Sequence, residues 1–319
     1  MTDNSVDIKN GVGDLLNEYL LYLKLECAHS LNSIDAYAGD VGKLISFLDS
    51  EQISIFDVNT DILHRFMAGL SDINIHPRSQ ARILSGIKSF YRYLSIEGKI
   101  TANPTELIEA PKIGFRLPEV LSIKEIDAIL SDIDLSKPEG QRNKAMLETL
   151  YSCGLRVSEL VSLKIQDLFF GEGFVRVIGK GDKQRLVPIS PKAIREIELY
   201  LLDRNRCESK KGFEDILFLN RRGTSLSRVM VFYIIKGLAE TAGIKKAVSP
   251  HTFRHSFASH LLEGGANLRA IQAMLGHEKI TTTEIYTHVN DQHLREEILT
   301  HHPWYNRQSN NDQSPQKKR

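Results

Sequence analysis

The stretch SPHTFRHS (residues 249–256) places His251 and Arg254 three positions apart, the spacing at which two side chains share one face of a helix. A guanidinium presents a planar fork of donors matched to a phosphate, and an imidazole adds a donor or a proton. Together they make an anion site. Metal binding is the competing chemistry, because His251 and His255 are four apart and His260, His277 and His288 follow. A zinc helix of the HExxH kind needs glutamate after the first histidine, whereas the intervening residues here are Thr-Phe-Arg. Arg254 would also repel a dication, so no metal ligands are assigned. Structural or surface roles suit His255, His260 and His288 better than they suit His251.

Three other segments offer chemistry that fits an anion. In YSCGLRVSEL, Arg156 opens an amphipathic helix two residues after Gly154, and Glu159 is spaced to brace its guanidinium. Taken singly, that pair is equally well a surface ion pair of little energetic weight. Lys180 sits in a Gly-Lys-Gly turn, from which it could reach into a groove and protonate a leaving oxygen, although most turn lysines are simply solvated. In LGHEKITTTEIYTH, Thr281 and Glu284 have capping-box spacing, so a short helix should carry Tyr286 in its second turn, with His277 in the preceding loop. A tyrosine hydroxyl can act as a covalent nucleophile. Attack on a phosphodiester requires loss of its proton and a cationic cradle for the transition state. Two arginines, two histidines and a lysine would form that cradle. By itself, Tyr286 reads as core more readily than as a nucleophile.

These groups must be held by a larger frame. Apolar residues recur at helical spacing over 12–26, 32–49, 60–70 and 77–96, which predicts a compact four-helix N-terminal domain over about 10–100. Pro104, Pro111 and Pro118 then interrupt any regular element, giving a linker over 101–120. Ser122 with Glu125 forms a capping box that opens a second domain, 121–303. Within it FVRVI (174–178) and QRLVPI (184–189), joined by GKGDK, read as a β-hairpin with Lys180 at its tip. The remaining segment, 304–319, is polar and aperiodic and is expected to be disordered. The fold class expected is therefore mainly α, an all-helical N-terminal domain followed by a mostly helical α/β domain with a small hairpin sheet.

Composition is that of an ordinary soluble protein, with 41% hydrophobic and 25% charged residues. A formal net charge of +1 by itself points to no nucleic-acid partner. The charge is uneven, however: residues 76–99 carry five Lys or Arg and one Glu. Three scattered cysteines (Cys27, Cys153, Cys207), a polar start without a secretory signal, and no apolar run beyond the seven residues of VMVFYII suggest a soluble cytoplasmic protein.

The motifs GLRVSEL, GKGDKQRLVP, HTFRHSFASHLL, LGH and IYTHV, in this order and at these intervals, resemble those of the tyrosine recombinases of the phage integrase family, and among them the bacterial Xer-type site-specific recombinases. The resemblance covers roughly residues 10–303. It includes SLNSIDAYAGDV (30–41) in the N-terminal domain, although Ser33 stands where threonine is more usual. The resemblance implies a SAM-like core-binding domain and a tyrosine-recombinase catalytic domain. It further implies that Tyr286 attacks the scissile phosphate to form a 3′-phosphotyrosyl bond. Arg156 and Arg254 would hold the non-bridging oxygens. Lys180 would protonate the leaving 5′-oxygen, His251 would assist proton transfer at the nucleophile, His277 would support the phosphate site, and Glu159 would stand behind them. No cofactor, ATP or metal is implied.

For DNA contact, the fourth helix offers Arg78, Arg82, Lys88 and Arg92 interleaved with Phe90, Tyr91 and Tyr93. The bland reading of that helix is a solvated basic face over a core stripe. Arg221, Arg222, Arg228 and Lys236 are candidates for backbone contacts from the second domain. The resemblance implies a double-stranded DNA recombination site as substrate and four protomers on two sites, shared with a paralogous recombinase. It also implies control by a cell-division DNA translocase, a nucleoid-associated location and chromosome dimer resolution as the biological role. LREEILTHH (294–302) is the segment expected to exchange between subunits. The alternatives are an integrase of a mobile element and, from a different class, a DNA-binding protein without catalysis. Retention of Arg156, Arg254 and Tyr286 weighs against the last.

Overall fold

The computed structural model describes residues 4–111, 119–179, 182–276 and 291–303. The chain divides into two compact units, Met1–Arg116 and Leu117–Arg319.

The first unit is built from four helices: α1 (Asn4–Leu25), α2 (Leu31–Ser50), α3 (Thr60–Asp72) and α4 (Pro77–Ile96). Their starts follow from local chemistry. The Ser30 and Asn59 side chains accept from the backbone N–H groups of Ser33 and Ile62, satisfying donors that the first helical turn leaves open. Pro77 occupies the first turn of α4, where its missing N–H costs nothing. The core is aromatic: Tyr19 meets Phe90 edge to face at 5.2 Å, and the Tyr91 hydroxyl donates to the Ile55 carbonyl at 3.0 Å.

The second unit contains α5 (Ile123–Ser131), α6 (Gly140–Cys153), α7 (Val157–Ser162), a small sheet, α8 (Pro191–Arg204), α9 (Arg228–Thr241), α10 (Pro250–Glu263), α11 (Leu268–Leu275) and α12 (Asp291–His301). The sheet has three antiparallel strands in the order β1 (Leu168–Phe169), β2 (Phe174–Ile178) and β3 (Gln184–Pro188). Its hairpin pairs Phe174 with Pro188 and Ile178 with Gln184. The Val-rich runs predict β2 and β3; β1 is added by the fold, because two residues are too few to leave a periodic signal. The Ser122–Glu125 capping box forms at the start of α5. Helix α6 runs through the centre, with Ala145, Met146, Leu147, Leu150, Tyr151 and Cys153 all fully buried. A helix that is covered on every side is a core helix, and it packs against α8 and α10. The fold is thus mainly helical with one small sheet.

Segment 294–302, expected to exchange between subunits, packs here on its own unit. Ile298 and His302 are fully buried, His302 lies 5.0 Å from the Tyr151 ring, and the Asn267 backbone N–H donates to Glu297. In the single chain these anchors hold α12 in place, and detaching it would expose both side chains to water. Burial, with the neighbouring His260 charge, pushes the His302 imidazole down to about 3 from its ordinary 6.5, so it is held neutral. The unfolded chain binds a proton near pH 6.5 and the folded chain does not. Stability is therefore complete above that pH and is lost as pH falls toward 3, at roughly 1.4 kcal/mol per pH unit. Urea midpoints at pH 7 and pH 5.5 should differ accordingly, and His302→Phe should flatten the slope. An equal slope in the variant would remove His302 as its source.

Among the described residues, no helix is long and apolar enough to cross a membrane.

Candidate active site

Three arginines from distant parts of the second unit converge on one carboxylate. Glu159, in the first turn of α7, is buried with a side chain 3% exposed. Its Oε2 accepts the Arg156 backbone N–H at 2.8 Å, and its Oε1 accepts the Arg156 guanidinium at 2.9 Å. Arg185, from β3, donates to both carboxylate oxygens at 2.9 Å each. Arg254, from the first turns of α10, stands 3.9 Å from Oε2. Burial alone would raise the Glu159 carboxyl. Hydrogen bonds from Arg185 and Arg156, with the Arg185 charge, instead hold it below the ordinary range.

The same guanidiniums hold the end of α11. Arg185 donates to the Met274 carbonyl at 2.8 Å, Arg254 to Leu275 at 2.5 Å and Arg156 to Gly276 at 2.9 Å. Successive carbonyls at a helix C-terminus lack intrahelical partners and carry the negative end of the helix dipole. Three cations therefore find three acceptors there without any side chain being provided for the purpose. Gly276 terminates the helix with φ of 62°, and an added Cβ would lie 3.1 Å from the Arg185 guanidinium. Only glycine meets both demands comfortably. Arg254 donates as well to the carbonyl of Gly154, the left-handed residue that ends α6. A Cβ on Gly154 would come within 2.3 Å of the Phe257 ring, so the turn that presents Arg156 depends on glycine too.

Among the described residues three guanidiniums share one carboxylate, which gives these groups an excess of positive charge. Burial, with the Arg156 and Arg185 charges and against Glu159, draws Arg254 down to about 10, so it stays cationic at neutral pH. Arg156 is about one-third exposed and Arg254 is buried behind it. A singly charged phosphate diester set against this surface would meet excess cationic charge and N–H donors that need no reorganisation.

His251 is exposed in the first turn of α10, on the helix that carries Arg254. His255 is exposed, while His260 lies in the core with its Nδ1 2.8 Å from the Tyr151 hydroxyl. Among the described residues, no three His, Cys, Asp or Glu side chains stand close enough to hold a metal ion. Lys180, His277 and Tyr286 lie outside the described residues, together with the Thr281–Glu284 capping box and segment 304–319. Gly179, beside Lys180, donates its N–H to the Lys183 carbonyl at 2.8 Å, which closes the base of the hairpin turn.

On the first unit, Arg78 and Arg92 are exposed along α4. Arg82 on the same face makes a two-pronged ion pair with the buried Asp40, at 2.5 and 2.8 Å. Lys88 donates to the Ile108 carbonyl at 2.6 Å. Two of the four α4 cations thus have intramolecular partners. In the second unit Arg222 is exposed, its backbone N–H held by the Asn220 side chain.

Sequence reasoning missed Arg185. Its signal was an arginine at an inward position of a strand: Arg185 shares a face with Val187 and lies opposite Val177, both buried to 1% or less.

Comparison with known proteins agrees with this architecture. Residues 119–293 match the phage integrase family, and residues 16–98 match its N-terminal SAM-like domain. The chain is 42% identical over 297 residues to Tyrosine recombinase XerD of Listeria monocytogenes, covering 92% of this chain and 99% of that one. It is 41% identical over 290 residues to Tyrosine recombinase XerD of Pseudomonas putida, covering 91% and 97%. Among solved structures, the fold is shared with the XerH site-specific recombinase bound to palindromic difH substrate, at a TM-score of 0.68, 24% identity and coverage of 85% and 80%.

Proposed function

The chain belongs to the phage integrase family of tyrosine recombinases, and we propose that it resolves chromosome dimers at cell division, cutting and rejoining DNA through Tyr286. Its activity as a site-specific DNA recombinase follows from the family and from relatives above 40% identity along nearly the whole chain. The observation that carries the mechanistic reading is the convergence of Arg156 and Arg254, about a hundred residues apart, on one cationic surface at the end of α11.

In the proposed reaction the Tyr286 oxygen attacks the scissile phosphorus and yields its proton, with His251 assisting. The bond to the 5′-oxygen breaks, and that oxygen takes a proton from Lys180. The product strands carry a 3′-phosphotyrosyl bond and a free 5′-hydroxyl. Arg156 and Arg254 neutralise the non-bridging oxygens as charge builds up, Glu159 keeps Arg156 in place, and His277 supports the phosphate. Rejoining runs the same steps backwards from a 5′-hydroxyl of the exchanged strand. Because one phosphoester replaces another, no ATP is consumed, and the guanidiniums take the charge-neutralising role a metal would otherwise fill. Four protomers, two of them a paralogous recombinase, act on two duplex sites in the nucleoid, under a cell-division DNA translocase. Both relatives described above are XerD recombinases, which favours this role over that of a mobile-element integrase. Arg78, Arg92 and Arg222, exposed and cationic, are proposed to contact the DNA backbone.

The test uses a nicked duplex carrying the host's candidate dimer-resolution site, with a chelator present and the paralogous recombinase supplied as a variant whose own nucleophilic tyrosine is replaced by phenylalanine. Wild-type protein should give a covalent protein–DNA band on a denaturing gel, and Tyr286→Phe should give none. A band that persists in the variant, or requires a divalent ion, would overturn the mechanism.

A further inference from the structure

We propose that Arg185 is a positioning residue for DNA cleavage, acting through Arg156, an inference that rests on the recombinase reading above. Arg156 leans on two acceptors, Glu159 Oε1 and the Gly276 carbonyl. Arg185 braces both of them. Two of its nitrogens grip the two oxygens of Glu159, and its Nε holds the Met274 carbonyl two residues before Gly276. A guanidinium is planar and rigid, so these three bonds fix the start of α7 relative to the end of α11. The side chain is only 15% exposed, behind the more open Arg156. It is therefore set to orient the cation that meets phosphate rather than to meet phosphate itself.

The position in the strand argues against a merely stabilising role. Arg185 occupies an inward slot between Val177 and Val187, where an apolar side chain would suit the core. Burying a cation there costs desolvation that an aliphatic residue avoids. What the arginine supplies, and an aliphatic residue could not, is the fork across Glu159 and α11. Lysine would keep the charge without the three-point geometry.

The experiment measures single-turnover formation of the covalent complex on the nicked duplex, at saturating protein, for wild type, Arg185→Gln and Arg185→Lys. DNA binding is measured in parallel by mobility shift. A second duplex carries a methylphosphonate at the scissile position, in which a methyl group replaces one charged oxygen and lowers the demand for a placed cation. On ordinary DNA, Arg185→Gln should slow cleavage about 100-fold with binding within about threefold of wild type. On the methylphosphonate that deficit should shrink to less than about tenfold, and Arg185→Lys should recover only part of the ordinary rate. Equal deficits on both duplexes, or an Arg185→Gln rate within threefold of wild type, would overturn the proposal. If the glutamine variant does not fold, the lysine variant on the two duplexes gives the same comparison. No cleavage by wild type would instead overturn the recombinase mechanism on which the proposal rests.

Discussion

Glu159→Ala should destabilise the second unit by about 3–5 kcal/mol, the usual cost of removing one partner from a buried charged network. Among the described residues the carboxylate is the one anion shared by Arg156, Arg185 and Arg254, and it also accepts the Arg156 backbone N–H. Alanine would leave three clustered guanidiniums without the counter-charge they share. The sign of the pH dependence follows from the depressed carboxyl. Its stabilisation is complete above the unfolded value, roughly 4.3, and disappears as pH falls through the lower folded value. Urea unfolding of the full chain at pH 7 measures the loss. A change below about 1 kcal/mol would mean that the arginines are held apart by their carbonyl partners alone.

Arg254→Lys should slow covalent-complex formation by about 100- to 1,000-fold, the range seen when one preorganised donor to a developing oxyanion is removed. The arginine spends one terminal nitrogen on the Gly154 carbonyl and the other on the Leu275 carbonyl, so its orientation is set before any DNA arrives. Lysine offers one flexible nitrogen and cannot span both carbonyls while facing a phosphate. DNA affinity, which rests on many phosphate contacts, should change less than tenfold. Single-turnover cleavage with a parallel mobility shift separates the two effects. A variant that cleaves within tenfold of wild type would show that Arg254 serves the fold and not the reaction.

Helix starts were legible because capping is local. Ser122 with Glu125 satisfies backbone donors within three residues, and Pro77 brings no donor that needs satisfying; each opens a helix in the structure. The Val-rich runs of the hairpin were legible for the same reason. β1 was not, since a two-residue strand exists only because β2 lies beside it. On α4 the basic residues read alike in sequence. Asp40, 42 positions from Arg82, and the Ile108 carbonyl, 20 positions from Lys88, set two of them apart from Arg78 and Arg92.

From the order of residues alone came the two-domain helical plan, the hairpin, and a set of chemical groups suited to phosphoryl transfer through a tyrosine. Side-chain chemistry and the periods of helix and strand are properties of short segments, so they survive without a fold. What only the tertiary structure decided is which groups share a charge. Glu159 is three residues from Arg156 but 26 from Arg185 and 95 from Arg254, and it is the common partner of all three. The acceptors that complete the cluster are backbone carbonyls at the end of α11. Every residue has a carbonyl, so nothing in the sequence distinguishes these three. They become ligands for arginine because the helix stops there and the chain has brought that end against α7, β3 and α10.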